Sequence, residues 1–356
     1  MKDRNPVTNQ QGQCMALARG AVGIYLALVQ SGLSPGSNVI VPANLCYAGI
    51  YPVVYAGLNP VFCDVDSNTG NVTLEHICNV WSENAAAVIV PHMYGNPVEQ
   101  MPEIAEFCKE HHLLLIEDCA SAMGAASKRY APGTMGDYVI YSTGYSKTMD
   151  LGFGGFLFSS QRDLSEAEKL EALLPELKLE NEQNMTFFSR LYRLMRNEGT
   201  GTPIEKMICS GLAETCRDDF LHRVSDERKQ WLFSQMENLP QVIQARWTSM
   251  ARYEKNLIGS QVWRYPYSET AVPWRFSIFV SGKTRRDLIR SCLEKSLPVS
   301  DWYPRVTNLF GCDGDFPGAK KHEEEILNFP LLISDDEIDR ICREIRYHVD
   351  GQWIEE

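Results

Sequence analysis

The sequence predicts an α/β fold: a mostly parallel sheet covered by helices on both faces, joined to a smaller α+β C-terminal unit. Three observations carry this. Continuous apolar runs alternate with helical stretches from residue 14 to about 160, the mark of a parallel sheet buried on both faces. Residues 161 to 230 then turn helical in pattern and richer in charge, with "EGTGTP" (198–203) interrupting them. A strand-like "WRFSIFVSG" and a helix-like "KTRRDLIRSCLEKS" mark a second unit. The expected division is 1–230 for the large domain, including the helical segment 161–230, and 231–356 for the small one.

Taken in order, "AVGIYLALVQSG" places Val22, Tyr25, Leu26 and Val29 at helical spacing, and Gly32 and Pro35 end the helix. β-rich runs recur: "NVIVP" near 38–42, "PVFCDV" near 60–65, "AAVIVP" near 86–91, "HLLLIE" near 112–117, "YVIYS" near 138–142 and "GFLFSS" near 155–160. Helical candidates such as "EQMPEIAEFCKEH" separate several of them. Ligands of such sheets bind beyond the carboxyl ends of the strands. Near the C-terminus, "SDDE" forms a capping box from Ser334 to Glu337, opening a helix with Ile338, Ile341, Ile345 and Val349 on one face. The charge run "KKHEEE" (320–325) reads as a solvated helix start.

Composition bounds the function. The 356 residues are 44% hydrophobic and 22% charged, ordinary for a soluble globular protein. No apolar run approaches the roughly 20 residues that span a bilayer, and the polar N-terminus does not resemble a secretory signal. The 11 cysteines form no CxxC pair, which favours reduced thiols and a cytoplasmic location. A formal charge of −12 argues against a general nucleic-acid binder. No His/Cys group has metal-ligand spacing, so no metal is expected.

The chemistry centres on "YSTGYSKTMDLGFGGFLFSS" (141–160), which places Lys147 among small residues. A Walker A loop would need Gly immediately before the lysine; Ser146 stands there, and Tyr141 stands where the first Gly should be. A Schiff-base lysine fits better. It needs an amine on a rigid element, a carboxylate to hold a pyridine nitrogen's proton, and a phosphate seat. "HLLLIEDCASAMGA" supplies Glu117 and Asp118 at a strand end, and alternation lets only one of them face a given pocket. "ARGAVGIYLAL" puts Gly20 before a periodic helix, whose N-terminus suits a phosphate, and Ser142 adds a hydroxyl. Each signal has a bland reading: a surface lysine, a helix cap, an ordinary turn. Their combination on one α/β frame carries the argument.

With these motifs in view, the chain resembles the DegT–DnrJ–StrS sugar aminotransferases, fold-type-I enzymes dependent on pyridoxal 5'-phosphate (PLP). "GSNVIVPANLCYAGIYPVVYAGLNPVFCDVDSNTGNVT", "AVIVPHMYGNPVEQMPEIAEFCKEHHLLLIEDCASAMGA", "GDYVIYSTGYSKTMDLGFGGFL", "HRVSDERKQWLFSQMENLPQVIQARWTSMARYEKNL" and "ILNFPLLISDDEIDRI" carry the likeness. The resemblance implies a fold-type-I PLP transferase with Lys147 covalently linked to PLP and Asp118 paired with the pyridine nitrogen. It gives Glu117 a supporting role, and it gives the phosphate to Ser142 and the backbone around Gly20 and Ala21. Tyr47 or Cys46 would lie against the ring. Gly152, Gly154 and Gly155 would let the chain turn tightly beside the site. Arg223 would reach the neighbouring subunit's site, which implies a homodimer with shared active sites. The sequence departs from the family in places. Ala21 stands where many members have Thr or Ser, Ser121 replaces a Gln or His near the ring oxygen, Leu221 replaces an Asn, and Cys46 an aromatic. "WYPRV" lacks the usual His and paired prolines. The retained lysine separates the chain from the family's dehydratase branch.

The implied function is transfer of an amino group, from glutamate as donor, to a keto sugar, most readily a nucleotide-linked one. In that mechanism the freed Lys147 amine is the base and needs a pKa well below roughly 10.4. Alternatives are a free keto sugar or small phosphorylated ketone as acceptor, or a non-catalytic PLP-binding regulatory protein. His92 and Tyr94 in "PHMYG", and Trp302 and Tyr303, are candidates to touch substrate; a strand-end or core role is the competing reading of each. Arg190, Arg193 and Arg196 form a basic stripe for a diphosphate or membrane surface, or simply an amphipathic helix covering the sheet or the dimer seam.

Overall fold

A computed structural model describes residues 3–177, 186–187, 190, 211, 214–312 and 314–351. Strands β1 (Gln13–Leu17), β2 (Asn38–Pro42), β3 (Asn59–Cys63), β4 (Ala85–Pro91), β5 (Leu114–Asp118), β6 (Tyr138–Ser142) and β7 (Gly155–Ser159) form one sheet in the order β1-β7-β6-β5-β4-β2-β3. Strands β2 to β6 are mutually parallel, while β7 is antiparallel to both its neighbours, so β1 runs with the parallel set. This is the α/β fold-type-I architecture.

Alternation along each strand builds two cores. Met15, Leu17, Val39, Ile89, Ile116, Ile140 and Leu157 face helices α1 (Gly20–Gln30) and α2 (Tyr47–Tyr55). On the other face Ile40, Val88, Val90 and Leu115 pack with α3 (Leu74–Cys78) and α4 (Met101–Glu110). Ala16, Val139, Phe156 and Phe158 meet Leu232, Phe233, Met236 and Leu239 there as well. Helix α1 comes close to the sheet because it carries glycines: a Cβ on Gly23 would lie 3.1 Å from Ile140 Cδ1.

The second sheet is antiparallel, in the order β10-β9-β8, with β8 (Trp263–Arg264), β9 (Phe276–Phe279) and β10 (Ile326–Phe329). Helices Gly282–Glu294 and Asp335–Asp350 cover it through Leu288, Cys292, Ile338, Ile341 and Ile345. The capping box is present: Ser334 Oγ accepts from the Glu337 N–H, and Glu337 Oε2 accepts from the Ser334 N–H at 3.0 Å.

Two expectations are corrected. Leu232 to Leu239 belong to the large core, whereas Met250, Tyr253 and Leu257 join the small one. The change of core therefore falls within helix Leu239–Asn256, not at 230/231. The run 320–325 is the end of a helix, Pro317–Glu325, because Pro317 starts it three residues earlier, and His322 within the run is fully buried. Arg193 and Arg196 lie outside the described residues, as does most of the segment 161–230 beyond residue 177. Among the described residues the cysteines are free, and no helix is long and apolar enough to cross a membrane.

The two units are joined through Tyr94 and Gly95, whose carbonyls accept from the Trp274 N–H at 2.9 Å and the Val272 N–H at 3.1 Å. Gly95 has φ +88, and a Cβ there would sit 1.9 Å from the Val272 carbonyl oxygen. Gly95→Ala is therefore expected to cost about 2–3 kcal/mol, from overpacking and from left-handed backbone. Urea unfolding of the purified variant checks this.

Candidate active site

Strand alternation sends Glu117 and Asp118 to opposite faces. Asp118 shares its face with Ile116 and Ile140 and so looks toward α1, while Glu117 shares the face of Leu115. The carboxyl ends of β1, β5 and β6 lie side by side with β7, so the α1 N-terminus, Asp118 and Ser142 meet at one edge of the sheet. They border a cavity of ≈ 800 Å³ together with Lys147.

Glu117 is fully buried and serves as an anchor. Its carboxylate accepts from the N–H groups of Gly133 (2.6 Å), Met135 (2.9 Å) and Gly136 (3.0 Å), and from His92 Nε2 (3.0 Å). The Val98 N–H donates to His92 Nδ1, which places the ring proton on Nε2. His92 thus orients Glu117 on the face away from the cavity; its expected substrate contact is corrected, because the side chain has both nitrogens engaged there. Tyr94 is corrected likewise. It is fully buried, and its hydroxyl pairs with His322 Nδ1 and accepts from the Tyr303 N–H, so it supports the cavity wall from behind.

Burial raises the Glu117 carboxyl, but the His92 and backbone donors outweigh it and hold the group below the usual glutamate range. A depressed folded pKa contributes stability that is present above the unfolded value, near 4.5, and lost as pH falls through the folded one. Glu117→Gln turns an amide toward these N–H donors and is expected to lose about 3–5 kcal/mol at neutral pH. Its stability deficit should shrink on acidification, measured by thermal unfolding between neutral pH and pH values below the glutamate range.

Lys147 is half-buried on the loop after β6. Buried Arg246, from helix Leu239–Asn256, holds this loop. Its Nη2 donates to the Lys147 and Thr148 carbonyls at 2.8 Å, while Nη1 donates to the Trp274 carbonyl at 2.9 Å. Burial lowers the Lys147 amine, but Tyr303, Cys46 and Asp118 outweigh it, leaving the amine above the usual lysine range. Asp118 is 7% exposed; burial raises its carboxyl, opposed by Lys147 and by the Ala120 N–H, which donates to Oδ1 at 2.8 Å.

Helix α1 begins without a side-chain cap or an acidic residue in its first turn, so its positive end is open to an anion. Gly20 lets the backbone come close there: a Cβ would meet Ser142 Cβ at 3.2 Å. PLP fits this set. The α1 N-terminus at Gly20 and Ala21, with Ser142, offers a phosphate seat; Lys147 offers the amine; Asp118 offers a buried anion on the same cavity.

The remaining sequence-stated residues divide clearly. Tyr47, Cys46, Trp302 and Tyr303 line the cavity, with the Tyr47 and Trp302 rings 6.2 Å apart. Ser121 does not line it, but its hydroxyl lies 3.3 Å from the Tyr303 hydroxyl. Arg223 is exposed, paired with Glu176 and away from this chain's own cavity. Reasoning from sequence missed Arg19, Trp274 and Arg275, which also line the cavity. Arg19 directly precedes the phosphate-seat glycine and could have been flagged; "WR" at the start of a strand gave no such signal.

A family model described as the DegT/DnrJ/EryC1/StrS aminotransferase family matches residues 8–346. The GDP-perosamine synthase of Escherichia coli O157:H7 is 34% identical over 148 residues, 42% of this chain and 40% of that protein, so the match spans well under half its length. The UDP-N-acetyl-3-dehydro-alpha-D-glucosamine 3-aminotransferase of Acidithiobacillus ferrooxidans is 25% identical over 94% of this chain and 84% of its own. The solved aminotransferase TlmJ from Streptoalloteichus hindustanus shares the fold, with a TM-score of 0.74, 23% identity, and coverage of 95% of this chain and 86% of that one.

Proposed function

This chain belongs to the DegT/DnrJ/EryC1/StrS aminotransferase family, and from that premise we propose that it is a PLP-dependent aminotransferase of nucleotide-linked keto sugars, with glutamate as amino donor. The observation that carries the reading is the meeting of Lys147, Asp118 and the uncapped α1 N-terminus around one cavity. The nucleotide-sugar names of the relatives support the acceptor class.

PLP, when bound, takes up the negative charge that develops at the reacting carbon and carries nitrogen between the two half-reactions. The chain supplies the rest. Backbone N–H groups at Gly20 and Ala21, with Ser142, bind the phosphate. Asp118 presents a fixed negative charge from a buried strand end, where weak screening strengthens it. Lys147 moves the proton at the substrate carbon, and Arg246 fixes its backbone. Trp302 and Tyr303 wall the sugar side.

We also place the protein in the cytoplasm as a homodimer. Tyr145 is 84% exposed at the cavity rim, and a second copy would cover it. Arg223, exposed and away from its own cavity, would exchange its surface pairing with Glu176 for the partner's site.

The test is spectroscopic. Protein loaded with PLP should show a visible band that converts to the amine form with L-glutamate and returns with a nucleotide-linked keto sugar. A band unmoved by every amino acid tried would leave a binding protein, not a transferase.

A further inference from the structure

Arg275 lines the cavity beside the lysine loop and, among the described residues, has no anionic partner. It stands just before β9, and Trp274 ahead of it is tied to Tyr94. Its Nη2 donates to Ser146 Oγ, and its guanidinium lies 5.1 Å from the centroid of the Trp274 ring. Ser146 is itself fixed: it holds φ +64, the Trp274 indole donates to its carbonyl, and its N–H donates to Asp150 Oδ2 at 2.7 Å. Arg275 is thus anchored to the residue next to Lys147.

A guanidinium offers five N–H donors. Among the described residues Arg275 has one side-chain hydrogen bond and no ion pair. Two other arginines give the contrast, because every side-chain nitrogen of Arg246 and of Arg252 is engaged. Arg246 is surrounded by carbonyls, and Arg252 bonds Asp339 and Asp335. Burial pushes Arg275 below the usual arginine range, against Tyr303, Tyr145 and Asp150. A half-buried cation on a cavity wall, with most of its donors unpaired within the described residues and facing the cavity, suits a ligand anion.

Two anions of the expected substrates could serve: the donor's α-carboxylate and the sugar's diphosphate. Geometry separates them. In an α-amino acid the carboxylate is bonded to the carbon that bears the reacting nitrogen, so it must lie close to where Lys147 acts. In a nucleotide-linked sugar ketonised at C4, the diphosphate sits on the anomeric carbon, across the ring. Arg275 is held by Ser146 and, like Lys147, is close to Tyr303.

Resting on the reading above, we propose that Arg275 docks the α-carboxylate of the amino donor and so selects amino acids over simple amines. Arg275→Gln should lower the rate of band conversion by L-glutamate, and the affinity for unreactive succinate measured by calorimetry, by roughly 10- to 100-fold. Conversion by n-butylamine, which has no carboxylate, should stay within about threefold. Arg275→Lys keeps the charge, should recover part of the selectivity, and carries the test if the glutamine variant does not fold.

Equal losses for glutamate and butylamine, no loss for either, or a lysine variant no better than the glutamine one each overturn the proposal. A defect confined to dTDP or GDP binding assigns Arg275 to the sugar's diphosphate and overturns it as well. Wild-type protein that takes up no PLP overturns the parent reading. Protein that takes up PLP and converts with glutamate equally in wild type and Arg275→Gln overturns this inference alone.

Discussion

Lys147→Ala abolishes the visible band of PLP-loaded protein and slows amino transfer by at least about 10³-fold, the scale of losing a positioned acid–base group. The loop that carries Lys147 is fixed from outside. Arg246 grips its carbonyl, Ser146 ahead of it is tied to Trp274, and the Leu151 N–H behind it donates to the Thr143 carbonyl at 2.9 Å. The alanine variant should therefore keep its fold, with a thermal midpoint close to wild type. PLP should still bind, reversibly, through its phosphate at the α1 N-terminus. Loss of activity with the fold and phosphate seat intact separates a chemical role from a structural one. Adding a small primary amine should restore part of the rate.

Asp118→Asn costs about 10²–10³-fold in turnover, because it removes a preorganised buried charge while keeping the shape. It has a second, independent signature. Burial lowers the Lys147 amine, and Tyr303, Cys46 and Asp118 raise it. Removing the Asp118 charge removes one raising influence, so the amine's pKa falls and more of it is neutral at a given pH. PLP uptake by apoprotein needs the neutral amine, so its pH limb should move to lower pH in the asparagine variant. An unchanged limb would mean that Asp118 and Lys147 do not feel one another.

The central strands were legible because each is a continuous apolar run with a clean boundary, from "NVIVP" at β2 to "GFLFSS" at β7. Strand β1, "QCMAL", lacks β-branched residues and gave no signal; its pairing with β7 makes it a strand. Helix α2, "YAGIYPVVY", was obscured by Pro52 inside it. Alternation made Glu117–Asp118 legible as a pair with one member facing the cavity; the family resemblance, not the pattern, pointed to Asp118. His92 and Tyr94 look like site residues in "PHMYG"; burial and saturated hydrogen bonds place them in support instead. Arg246 and Arg275 were not legible, because each meets the lysine loop only through contacts about a hundred residues or more apart in sequence.

The most direct measurement is chemical. Reduce the PLP-loaded protein with borohydride, digest it, and map the modified peptide by mass spectrometry. The account predicts a phosphopyridoxyl group on Lys147, absent from Lys147→Ala. Stoichiometric labelling of another lysine, or none in a protein that still transfers amino groups, would contradict it.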